Sequence, residues 1–270
     1  MPENNVESGK SKFNEKSKFN GNNKVTGNSE FVSEIPGAKE PIIRLKDLVK
    51  IYEEENQTTH TVLNKVNSEI KKGEIIILLG RSGSGKSTLL NLLSGIDLPT
   101  SGEIIINGIN LTRLSEQERT LFRRNNIGFI FQFFNLIPTL TVEENLLLPL
   151  ELKGKLEKEQ YTLASDILDE VGLKDRLKSY PDQLSGGEQQ RVAVARAVIH
   201  DPSLILADEP TGNLDYETGL MIINLLDRLI RKKEKTMIMA THSKEVIGMA
   251  DRILTVRDGK LIEISAEKVV

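Results

Sequence analysis

The chain contains no cysteine. Disulfides, thiolate catalysis and cysteine-ligated zinc are therefore excluded together, which fits a reducing compartment. Long apolar runs are also lacking. Stretches such as Ile75 to Leu79 fall far short of the about 18 residues that a membrane-spanning helix needs. The first residues hold no apolar core of the kind a signal peptide carries. Excess charge of one sign is missing too. Lys+Arg number 36 and Asp+Glu 39, for a net charge of −3 and a sequence pI of about 5.8. Nothing in that balance points to nucleic acid, and no direct nucleic-acid partner is expected. These absences predict a cytoplasmic protein that reaches a membrane only through a partner.

What is present suits a globular domain with a sizeable core: 270 residues, 38% hydrophobic and 28% charged. Residues 1–40 stand apart. They are rich in Asn, Ser, Lys, Glu and Gly, and Lys-Ser-Lys-Phe-Asn occurs at 10–14 and again at 16–20. Such a segment buries too little to offset its ordering entropy, so it reads as a disordered tail. Residues 265–270 form a short C-terminal tail.

From Pro41 the pattern turns globular. Ile42 to Leu45 and Thr61 to Ile70 alternate like strands with one buried face. Glu74 to Leu79, Leu204 to Ala207 and Thr236 to Ala240 are apolar runs of the kind buried on both sheet faces. Asn107-Gly108 and Asp258-Gly259 sit between apolar segments as hairpin turns. Helical spacing covers 116–126 and Leu156 to Val171. Strands alternating with helices predict an α/β fold with a mainly parallel sheet, and the hairpins add a small antiparallel sheet.

Three strings carry chemistry. Gly80-Arg81-Ser82-Gly83-Ser84-Gly85-Lys86-Ser87 follows a predicted strand and precedes a helix marked by Leu89, Leu90, Leu92, Leu93 and Ile96. Glycines there let backbone N–H groups curl around phosphate, and the helix adds its N-terminal dipole. Lys86 is placed to bridge the β- and γ-phosphates and the Ser87 hydroxyl to bind Mg²⁺. In Leu204-Ile205-Leu206-Ala207-Asp208-Glu209-Pro210 an apolar strand ends in two acids. Asp208 is placed to hold Mg²⁺ through water, and Glu209 to align or deprotonate the attacking water. Leu184-Ser185-Gly186-Gly187-Glu188-Gln189-Gln190-Arg191 opens a helix through Val198, with Ser185 as N-cap. Its exposed N–H groups make a second anion site, which a single nucleotide does not need.

That last string resembles the signature motif of ABC ATPases, and the likeness extends over residues 41–264. The resemblance implies a P-loop NTPase (RecA-like) core with an inserted α-helical subdomain at about 133–185. It implies that Gly80, Ser82, Gly83, Ser84, Gly85, Lys86, Ser87 and Thr88 hold ATP. It places Gln132 on Mg²⁺ and water, His242 on the γ-phosphate, and Asn213-Leu214-Asp215 between the two sites of a dimer. Tyr52 resembles the aromatic that stacks on adenine; the alternative is a half-buried strand tyrosine. Ser185, Gly186 and Gly187 of a second copy would close over the nucleotide. Segments around Asn91 to Gly102, Phe131 to Pro138 and Ala207 to Asp215 look like the subfamily serving macrolide export, lipoprotein release and cell division. Arg81 departs from that subfamily, which usually has proline there.

The implied role is the ATP-hydrolysing subunit of a membrane complex, with Mg²⁺ and an integral-membrane permease, held at the inner face of the cell membrane. A soluble ABC ATPase acting on nucleic acid or ribosomes is the alternative. Four phenylalanines between Phe129 and Ile137, of eight in the chain, either pack in the core or line the groove for a permease helix.

Overall fold

A computed structural model describes residues 41–53, 58–154 and 156–268. The tail expected at 1–40 lies outside the described residues. The chain opens with two long antiparallel strands, β1 (Pro41–Glu53) and β2 (Thr59–Lys71). β3 (Ile75–Leu79) runs straight into a glycine-rich loop and α1 (Lys86–Ser94). Gly95, at φ 66°, ends α1 by turning its N–H back to the carbonyls of Asn91 and Leu92. β4 (Ser101–Ile106) and β5 (Ile109–Asn110) form the first hairpin, with Asn107 and Gly108 at φ 52° and 76°. α2 (Glu116–Asn126) leads to β6 (Ile127–Ile130), and α3 (Val142–Glu151) and α4 (Lys158–Glu170) follow. Then come α5 (Gly186–Val198), β7 (Leu204–Asp208), α6 (Tyr216–Lys232) and β8 (Thr236–Thr241). β9 (Arg252–Arg257) and β10 (Lys260–Ile264) form the second hairpin, and a short 3₁₀ turn at Ala266–Lys268 follows.

These strands form two sheets. One is antiparallel, in the order β2-β1-β4-β5; the other runs β10-β9-β3-β8-β7-β6 and is parallel except for β10. The fold is therefore the α/β arrangement expected, a mainly parallel sheet with a small antiparallel one beside it. Strand period explains how the parallel sheet is covered. Ile75, Ile77, Ile205, Ala207, Met237 and Met239 join the core built with α3 to α6. Their neighbours Ile76, Leu78, Leu204, Leu206, Ile238 and Ala240 join the core built with α1, α2 and the antiparallel sheet.

α3 and α6 stand where the sequence reading names no element. Pro149 lies inside α3 and masks its pattern as a breaker would, yet Thr141 and Glu144 cap its start reciprocally. α6 buries Ile222, Ile223, Leu225, Leu226, Leu229 and Ile230 on one stripe, with Asp215 as its N-cap. Between β6 and α5, the buried Leu146, Leu147, Ala164 and Ile167 of α3 and α4 join the same core as α5.

Candidate functional site

β3, β8, β7 and β6 are parallel neighbours, so their C-terminal ends share one edge. The loop 80–85 leaves β3 there, Glu209 follows β7, His242 follows β8, and Gln132 lies two residues past β6. A cleft at this edge is lined by Ser82, Gly83, Gly85, Lys86, Ser87, Thr88, Gln132, Asp208 and Glu209. Parallel α/β sheets place ligands in this kind of crevice.

The loop is shaped before any ligand arrives. Gly85 sits at φ 100°, and a Cβ there would come within 2.7 Å of Val62 Cγ1. Only glycine lets the chain turn into α1 so close to β2. Lys86 is buried, and its Nζ donates to the carbonyls of Gly80 (2.8 Å) and Arg81 (3.0 Å). Those bonds hold the ammonium over the loop concavity, 3.8 Å from Glu209 Oε1. Arg81 takes part through its carbonyl, while its side chain is exposed. Ser84 Oγ is buried and has no hydrogen-bond partner among the described residues.

Across the cleft, the Ser87 hydroxyl donates to Asp208 Oδ1 at 3.1 Å. Burial pushes the Asp208 carboxyl above its ordinary range; Ser87 and Lys86 lower it, and the neighbouring Glu209 charge raises it further. Glu209 has φ 46°, a left-handed conformation that non-glycine residues rarely adopt, and its N–H bonds the Ala240 carbonyl at 2.8 Å. Strain of that kind collects at functional sites. It turns the Glu209 carboxylate toward His242, whose Nδ1 lies 3.0 Å from Oε2. The backbone N–H of His242 donates to the same oxygen at 3.4 Å.

Gln132 lines the cleft and also pairs with Asn213. Its Nε2 donates to Asn213 Oδ1 at 3.3 Å, and Asn213 Nδ2 donates to the Gln132 carbonyl at 3.0 Å. Gly212 makes room: a Cβ there would stand 2.9 Å from Gln132 Nε2. His60 and Val62 of β2 line the cleft as well. Neither was legible, because strand pairing alone brings them in. Tyr52 sits on β1 directly opposite His60 and within reach of Thr88.

The other expected anion site lies elsewhere on the chain. Ser185, Gly186 and Gly187 line a hollow with Arg191, Asn213, Leu214, Asp215, Thr218 and Met221. It shares no residue with the Lys86 cleft. Ser185 Oγ accepts from the Glu188 N–H at 3.3 Å and donates to Glu188 Oε2 at 2.9 Å. Glu188 thus closes a capping box at the start of α5, as the Ser-x-x-Glu spacing signals. At Gly187 a Cβ would meet Thr218 Cγ2 at 2.5 Å, so α5 presses its first turn against α6.

The family model described as ABC transporter matches residues 63–212. An ABC transporter ATP-binding protein of Mycobacterium tuberculosis (strain ATCC 25618 / H37Rv) is 51% identical over 224 residues, covering 83% of this chain and 90% of that protein. The lipoprotein-releasing system ATP-binding protein LolD of Legionella pneumophila (strain Lens) is 42% identical over 220 residues, 82% of this chain and 96% of its own. Among solved structures, the dimeric post-hydrolysis state of the ATP-binding cassette MJ0796 bound to ADP and Pi is similar at a TM-score of 0.76. It is 41% identical and covers 83% of this chain and 98% of its own.

Proposed function

The chain belongs to the family of ABC transporter ATP-binding proteins, and from that premise we propose that two copies enclose ATP between the Lys86 cleft of one and the α5 N-terminus of the other. As a member it is an ATPase, hydrolysing ATP to ADP and phosphate as the energy-supplying subunit of an ABC transporter. One observation carries the dimeric arrangement. The similar cassette MJ0796 is dimeric in its post-hydrolysis state with ADP and Pi, and in this chain the α5 hollow is lined by residues other than those of the Lys86 cleft. A two-fold axis makes two complete sites from two incomplete chains.

Within each site the residues divide the work. The loop N–H groups and Lys86 bind the triphosphate. Thr88 flanks it, and Tyr52 stacks on the base. Glu209 takes the proton of the attacking water, oriented by the His242 Nδ1 contact at 3.0 Å. His242 and Gln132 report the state of the γ-phosphate. Ser185 and Gly187 of the second copy close the site.

Mg²⁺ fits the donor set. Ser87 and Asp208 offer oxygens 3.1 Å apart, and a half-buried carboxylate raised by burial is relieved by a cation. Ser87, Asp208 and Gln132 would hold it. When bound it supplies neutralisation of the phosphate charge.

No helix among the described residues is long and apolar enough to cross a membrane. Its relatives are ABC transporter ATP-binding proteins, which supports a permease as the membrane partner, with this subunit on the inner face of the cell membrane. An apolar hollow beside β6 is lined by Phe129, Phe131, Leu148, Pro149 and Leu152. Phe129 and Phe131 stack at 4.1 Å, whereas Phe133 is 70% exposed. This face receives the permease's cytoplasmic helix, and the complex exports or extracts a peptide, lipoprotein or drug-like substrate.

The test is an affinity pull-down of the tagged chain from detergent-solubilised membranes of its source. A stoichiometric multi-span permease is expected. Ribosomes or DNA-repair proteins in its place, with ATPase activity intact, would overturn the membrane assignment.

A further inference from the structure

Tyr52 does not stand free at the mouth of the cleft; two charged side chains brace it. Its hydroxyl donates to Asp97 Oδ2 at 2.9 Å. The other carboxylate oxygen of Asp97 accepts from Lys50 Nζ at 2.7 Å. Lys50 Nζ in turn lies 4.6 Å from the centre of the Tyr52 ring, over its face. Lys50 is only 9% exposed and also donates to the Leu98 carbonyl at 2.8 Å. The three side chains thus close a loop in which each holds the next.

Its position gives this loop a purpose. Tyr52 pairs with His60 across the β1–β2 ladder, so the two side chains stand on one sheet face. His60 and Val62 line the phosphate cleft with Thr88, the residue after the proposed metal ligand Ser87. The Tyr52 ring therefore stands beside the cleft, next to His60 and Thr88. An aromatic side chain left free to rotate would lose part of its stacking energy to ordering on each binding event. The Lys50 ammonium covers one face of the ring, while Tyr52 as a whole stays 39% exposed. Partial burial raises the Asp97 carboxyl, but the bonds from Lys50, Tyr52 and the Leu98 N–H outweigh it and hold it below its ordinary range.

We propose that Lys50 and Asp97 are positioning residues that preset the Tyr52 ring for stacking on the nucleotide base. This rests on the nucleotide-binding reading of the Lys86 cleft. A purely structural role, tying the loop at 96–99 to β1, is the competing account, and inorganic tripolyphosphate separates the two because it has phosphates and no base.

The experiment is calorimetric titration of the full chain with ATP and with tripolyphosphate, each with Mg²⁺. Asp97→Ala and Lys50→Met are each expected to weaken ATP binding about 5- to 20-fold while tripolyphosphate changes less than about twofold. In a Tyr52→Phe background the Asp97→Ala loss is expected to shrink, because the bond it removes is already gone. Asp97→Asn keeps an acceptor for Lys50 and offers a donor to the phenol oxygen. It should restore ATP affinity to within about threefold of the parent. Equal losses for both ligands, or no loss for ATP, would overturn the proposal. Should Asp97→Ala fail to fold, Lys50→Met decides alone, since methionine keeps the length of the stem. Unchanged binding of both ligands in Lys86→Ala would instead sink the nucleotide-binding reading itself.

Discussion

At φ 46° Glu209 is held in a conformation that its side chain disfavours, one residue beyond the strand that carries Asp208. The surrounding bonds explain why it stays there: its N–H is tied to Ala240 and its carboxylate to His242. Glu209→Gln keeps size and hydrogen bonding but removes the basic oxygen. Phosphate release in that variant should fall by a factor of about 100 or more, with ATP still bound. Normal turnover in a phosphate-release assay would remove Glu209 from the role of base. The residues the sequence shows best are of this kind. Lys86, Ser87, Asp208 and Glu209 lie in short strings whose spacing is itself the chemistry. His60 and Val62 left no such trace, and the Gln132–Asn213 pair joins two amides 81 positions apart.

Among the elements, helix starts follow one device. Ser115 with Glu118, Thr141 with Glu144, and Ser185 with Glu188 are reciprocal caps. The backbone N–H of each cap residue, and then its hydroxyl, holds the glutamate carboxyl below its ordinary range. A carboxyl depressed in the folded state adds stability above its unfolded value of about 4.3, and that stability is lost as pH falls through the folded values. The urea midpoint should therefore fall as pH drops below about 5, and fall less in the double variant Glu118→Gln/Glu144→Gln. An identical pH profile in that variant would show that the caps do not govern acid sensitivity.

β6 offers a steric test. A Cβ at Gly128 would collide with the Ala197 carbonyl oxygen of α5 and stand 3.2 Å from Pro202 Cγ. Gly128→Ala should cost about 3 kcal/mol or more in urea unfolding, because backbone on both sides has to move. A loss well under 1 kcal/mol would mean that β6 and α5 pack less tightly than the structure indicates. The two helices absent from the sequence reading differ in cause. In α3, inside the helical subdomain expected at about 133–185, Pro149 interrupts the pattern behind a sound N-terminal signal, whereas α6 carries a plain apolar stripe.

For the molecule as a whole, the separation of the two anion sites has a consequence that a single chain cannot imitate. Ser185→Arg places a bulky cation at the start of α5 and leaves the Lys86 cleft of the same chain whole. That variant should bind ATP as a monomer yet fail to hydrolyse it. Lys86→Ala should fail for the opposite reason, with its α5 N-terminus intact. Mixed together, the two variants form some dimers that pair the intact cleft of one with the intact helix end of the other. Half of randomly assorted dimers are mixed and each contains one whole site, so recovery of at most about a quarter of the parent turnover is expected. Neither variant alone should approach that level in a coupled ATPase assay. If the mixture stays as inactive as its parts, while ATP binding by Ser185→Arg is normal and mixed dimers form, sites shared between chains are ruled out. The α5 N-terminus would then have to serve its own chain, across the Gln132–Asn213 contact that joins the two hollows.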